Sequence, residues 1–163
     1  MICAEARRRC EDASACPSGH TDLGVPIGYA AAAPGRHRAA PRDLGSVDRD
    51  KLAECIAACF ECAQVCTACA DACLSEDMVA DLTKCIRTDL DCADICIATG
   101  NALSRHTGYD ANLTRSFLEA CAAACKACSD ECAQHAEMHE HCKICARTCR
   151  RCEEACRALI ATL

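Results

Sequence analysis

Beyond residue 45 the chain sets an apolar residue at every third or fourth position, and the residue it uses is cysteine. Cys55, Cys59, Cys62, Cys66, Cys69 and Cys73 step 4, 3, 4, 3, 4 along the chain, so all six fall on one helix face, the face a bundle turns inward. Cys121, Cys125, Cys128 and Cys132 repeat that register, and Cys142, Cys145, Cys149, Cys152 and Cys156 step 3, 4, 3, 4. A further stretch carries Cys85, Cys92 and Cys96, with Asp89 in the vacant place of the ladder. Four such segments predict four helices, over about 47–74, 76–104, 111–136 and 138–162.

The breaks between them are read from capping residues. Ser46 or Asp48 suits the start of the first helix, and Ser75-Glu76-Asp77 a tight turn with Ser75 as the next N-cap. Gly108 is a C-cap candidate after the second helix, and Asp110 an N-cap for the third. No Gly or Pro falls between Ala111 and Leu163, so the turn near His135–His139 is the weakest, with one very long final helix as the alternative. Short connections predict an all-α, antiparallel up-down-up-down four-helix bundle. Residues 1–45 differ in character. They hold all four prolines and five of the seven glycines, and they predict an irregular, mobile N-terminal tail whose Cys3, Cys10 and Cys16 lie outside the register.

Composition sharpens the picture. Cysteine makes up 21 of 163 residues, aromatics only 2%, and there is no Trp, so alanine and sulfur must fill the interior. The net charge of −6 argues against a nucleic-acid or anionic-membrane surface, and no run approaching about 20 apolar residues is expected to cross a membrane. Arg7-Arg8-Arg9 is followed by the polar Cys10-Glu11-Asp12 where an export signal needs an apolar stretch. A cytoplasmic, reducing setting is therefore expected, in which clustered cysteines bind metal or do redox chemistry rather than form structural disulfides.

Eighteen cysteines in heptad register give up packing that Leu or Ile would supply, which disfavours cysteine as mere filler. A disulfide ladder would need matched Cβ geometry along a tube about 27 Å long, at 1.5 Å rise per residue. Zinc favours separate tetrahedral sites, and iron–sulfur clusters use cysteines borne on loops. The C-x3-C-x2-C of Cys55, Cys59 and Cys62 is one period of a longer repeat, and no C-x-x-C-H occurs to attach haem. Cu(I) is soft, favours thiolate, and accepts linear or trigonal coordination with sulfurs shared between ions. A continuous ladder suits many such ions.

The C-x3-C-x2-C-x3-C-x2-C-x3-C array of Cys55–Cys73 and the ladders that follow resemble the cytosolic type of bacterial copper storage protein, over roughly Val47 to Leu163. The resemblance implies a four-helix bundle filled with Cu(I), and a homotetramer of bundles. Extending the seams separates two ends. Leu52, Leu103, Leu118, Leu159 and Leu163, with Phe117 beside them, form an apolar plug; Met78, Leu82, Asp89, His135, His139 and His141 gather with Cys69, Cys73, Cys85 and Cys142 at the other end. The resemblance implies that Asp89, His135, His139 and His141 take part in admitting copper. Expected partners are copper ions and a copper chaperone, with no nucleic acid and no membrane. No catalytic constellation can be assembled on these seams, so no enzyme activity is expected. A zinc or general heavy-metal buffer and a thiol redox protein are the rival readings.

Overall fold

The computed structural model describes residues 47–163; the expected tail, with Cys3, Cys10 and Cys16, lies outside them. Four helices follow in order, α1 (Arg49–Leu74), α2 (Thr83–Leu103), α3 (Ala111–His135) and α4 (Glu140–Ile160), with one 3-10 turn at Val79–Leu82. Each helix packs chiefly on two others, α1 on α2 and α4, and α3 on α2 and α4. Sulfur pairs set the directions. Cys55 near the start of α1 meets Cys156 near the end of α4, and Cys69 meets Cys142. Cys96 meets Cys121 and Cys85 meets Cys132, so α2 and α3 are also antiparallel. The result is the expected all-α four-helix bundle.

Two aspartates start helices as the sequence suggests. Asp48 Oδ1 accepts from the Asp50 and Lys51 amides, both at 3.1 Å, and Asp110 Oδ1 from Asn112 and Leu113 at 2.8 and 3.0 Å. Each cap satisfies amides with no partner inside the helix and contributes about 1 kcal/mol. Ser75 departs from expectation. It takes an αR conformation and closes α1, its amide donating to the Ala72 carbonyl while the Glu76 amide donates to that of Cys73. The second helix accordingly starts at Thr83 rather than near residue 76. The cause lies in packing, because Leu82 is buried in the core and the 3-10 turn carries it inward across the bundle end. Likewise Ser104, not Gly108, caps α2, and Gly108 takes a positive φ of 68° in the loop before Asp110. The long final helix does not form: His139 is extended, at φ −129° and ψ 113°, and α4 begins after it.

All eighteen cysteines of the bundle are free and buried. Leu52, Leu103, Leu118 and Leu159 close one end of the core, with Leu163 packed partly against them. By length and composition alone α1 is apolar enough to cross a membrane, with a mean hydropathy of 1.4 over its best window. Its cysteines and alanines produce that value, and half of the window is buried among the other helices. That is the pattern of a core helix.

Protonated thiols are neutral, small and weakly polar, so this core packs without metal. Reduced, metal-free protein is expected to give a strong helical circular dichroism signal and to unfold cooperatively. A random-coil spectrum would show that the fold depends on bound metal.

Candidate metal centre

The seams converge as a continuous column of sulfur. Near the leucine end Cys55 and Cys156 are 3.7 Å apart, and Cys59 lies 3.9 Å from both Cys121 and Cys152. At mid-height Cys66 is 3.4 Å from Cys149, which is 3.4 Å from Cys128. Among the described residues several four-thiol groups have all their sulfurs within 4.8 Å of one another. They overlap: Cys152 belongs to a group with Cys59, Cys121 and Cys156 and to another with Cys62, Cys96 and Cys125. Cys62 recurs with Cys66, Cys92 and Cys149, and Cys66 and Cys149 recur with Cys128 and Cys145. Separate mononuclear sites would not share ligands in this way. Shared sulfur is the arrangement of a multinuclear thiolate cluster.

Asp89 sits inside the column, fully buried. Its Oδ1 accepts from the thiols of Cys128, Cys132 and Cys145 at 2.9, 3.2 and 3.4 Å, and Oδ2 from Cys85 at 3.8 Å. A carboxylate is costly in such a place unless hydrogen bonds replace water, and four thiol donors do so. Burial pushes its pKa up to about 8, reinforced by the nearby Cys145 sulfur and opposed by the Cys128 hydrogen bond. Burial likewise raises Cys73 to about 12 and Cys142 in the same direction. In the metal-free state these groups are held neutral.

At the opposite end from the leucine plug, the sequence-predicted histidines separate. His141, in the first turn of α4, turns Nδ1 to the thiols. It lies 3.4 Å from Cys69 Sγ and Cys142 Sγ and 3.9 Å from Cys73 Sγ, and these four residues form one candidate metal group. His139 instead places Nδ1 3.1 Å from Glu76 Oε1. His135 turns to the buried Glu131, its Nε2 3.5 Å from Oε1 and without a hydrogen bond; Lys84 pairs with the same carboxylate. His135 and His139 line an outer pocket of about 180 Å³ with Met78, Met138 and Glu76. One imidazole thus meets the thiol column and two stand in a vestibule.

Two carboxylates at this end escaped the sequence reading. Glu76 continues the α1 ladder by one more step of three from Cys73, a signal that was present. Glu131 sits beside Cys132, off the seam, and nothing in the register marks it.

A helical bundle whose axis is lined with free thiols has the donor set of a soft-metal-binding protein. The chain belongs to the copper storage protein family, whose family model matches residues 48–161. It is similar to the copper storage protein Ccsp from Streptomyces lividans, solved loaded with 10 copper equivalents, at 67% identity and a TM-score of 0.76, covering 77% of this chain and 96% of that one. It is also similar to the Cu(I)-bound copper storage protein BsCsp3, at 38% identity and a TM-score of 0.58, covering 65% and 94%. A curated relative, the uncharacterized cysteine-rich protein YhjQ of Bacillus subtilis, is 38% identical over 52 residues, 32% of this chain. That match spans 46% of the relative's length.

The Asp89 environment yields a pH prediction. Its folded-state pKa of about 8 lies above the ordinary 3.8, so the protonated group contributes stability that is full below about pH 4 and lost as the pH rises towards 8. Urea denaturation of reduced, metal-free protein should show wild type losing stability across that window. Asp89→Asn, which has no carboxyl to ionise, should lose clearly less; equal slopes would contradict the assignment.

Proposed function

We propose that this protein stores copper as Cu(I), holding many ions on the eighteen bundle cysteines with Asp89 within the column. The observation that carries this reading is the chain of overlapping four-thiol groups along the axis. Charge separates copper from zinc. A tetrahedral zinc site takes four thiolates against two positive charges and leaves a net negative charge in a dry core. Cu(I) with shared sulfurs needs roughly one thiolate per ion and leaves the core near neutrality. A thiol redox role is less well supported, because such chemistry wants an accessible reactive thiol and these cysteines are buried.

The free thiols support a reducing, cytoplasmic setting. Phe60, Leu90 and Ile97 remain exposed on α1 and α2 and offer apolar surface for self-association into a homotetramer. Copper arrives on a carrier such as a chaperone and enters at the histidine end, since the leucine end offers a soft cation no ligand. Asp89, His135, His139 and His141 pass it inward, with His141 the one placed to hand it to Cys69, Cys73 and Cys142.

An anaerobic Cu(I) titration of reduced protein tests the storage reading. Capacity should approach roughly one ion per bundle thiol and be nearly unchanged by deleting residues 1–45. Saturation at one to four ions per chain would point to a chaperone or cofactor site instead.

Polarity of uptake is a separate matter. Replacing His135 and His141 together by Phe, or Asp89 by Leu, should slow stopped-flow uptake from a Cu(I) chelate while capacity stays within a few ions. Leu103→Phe should leave the rate nearly untouched, and slowing confined to that variant would reverse the polarity.

A further inference from the structure

Glu76 is the first residue after the α1 C-cap, and its side chain is about one-third exposed. One of its oxygens, Oε1, lies 3.1 Å from His139 Nδ1 and 3.1 Å from His141 Nε2. The contact with His141 is a hydrogen bond and that with His139 is at ion-pair distance; a carboxylate oxygen has two lone pairs and can accept from both rings. The two rings, with centroids 5.2 Å apart and tilted by 31°, therefore meet one acceptor through opposite nitrogens.

We propose that Glu76 is the positioning residue of the mouth, holding His139 and His141 in opposite tautomers so that their lone pairs form an outer and an inner ligand in series. A neutral imidazole carries one N–H, and the hydrogen bond made by one nitrogen decides which nitrogen keeps its lone pair. With Glu76 accepting from Nδ1–H, His139 keeps its lone pair on Nε2, and the ring lines the outer pocket beside Met78 and Met138. With Glu76 accepting from Nε2–H, His141 keeps its lone pair on Nδ1, the atom 3.4 Å from Cys69 Sγ and Cys142 Sγ. The other tautomer of His141 would aim an N–H at those sulfurs and offer an arriving cation nothing. His135 lies outside this arrangement, because it faces Glu131.

The inference rests on the reading of this end as the copper mouth, and the test separates the two. Tautomers are read in metal-free protein by long-range ¹H–¹⁵N NMR of the imidazoles. Uptake is read by stopped flow from a Cu(I) chelate, and capacity by titration. Wild type should show His139 protonated on Nδ1 and His141 on Nε2. Glu76→Leu should lose that contrast, slow the first uptake phase about tenfold, the lower end of the usual effect of losing a histidine's supporting carboxylate, and keep capacity within one or two ions. Glu76→Gln, whose amide oxygen still accepts, should keep both tautomers and most of the rate. Unchanged tautomers in Glu76→Leu would overturn the proposal, as would equal slowing in Glu76→Gln, which would assign the effect to charge alone. His141→Ala is the control for the reading beneath. If His141→Ala leaves uptake unchanged, the mouth assignment falls and the proposal with it; if it slows uptake while Glu76→Leu does not, the proposal alone falls.

Discussion

A thiol packs as a small apolar group when protonated and binds a soft cation when it is not, and the rest of the molecule depends on that double character. Cysteine at each inward position lets the helices close around a dry axis without metal, where a carboxylate or imidazole ladder would leave uncompensated polar groups. The cost is packing, since cysteine buries less apolar surface than leucine. Leucine returns where no ligand is wanted, in the plug of Leu52, Leu103, Leu118 and Leu159.

The same property sets the chemistry expected on loading. Each ion bound displaces thiol protons, so a column of neutral thiols becomes a column of thiolates whose charge the cargo cancels. Asp89 is the exception inside the column. Held by Cys85, Cys128, Cys132 and Cys145, it introduces one oxygen donor among sulfurs at the mouth-side half of the bundle. The mouth grades outward from thiols through His141 to a vestibule of imidazole, carboxylate and thioether. Affinity for a soft ion falls outward along that grading, which is the gradient the proposed entry of copper at this end requires.

Much of this could be read from spacing. The 4-3 register located every helix and its inward face because a cysteine ladder leaves one solution for which side is buried. It also separated the two ends, since leucines and histidines continue the seams in opposite directions. Local details were less legible. Ser75 has the chemistry of an N-cap, yet the burial of Leu82 decides how the chain crosses to α2, and burial is a tertiary outcome. Three histidines near one end looked equivalent in sequence; only the turn between α3 and α4 brings His141 to the thiols and turns His135 to Glu131. Glu76 fell on the α1 register but past the last cysteine, where a polar residue reads as solvated turn.

In the proposed store, sulfur shared along the axis, rather than a set of separate sites, holds the metal. X-ray absorption at the copper edge of anaerobically part-loaded protein tests it most directly. A first shell of sulfur is expected, with copper–copper scattering already present when only a few ions are bound. A shell dominated by nitrogen and oxygen, or isolated copper without a neighbouring metal at every loading, would contradict it.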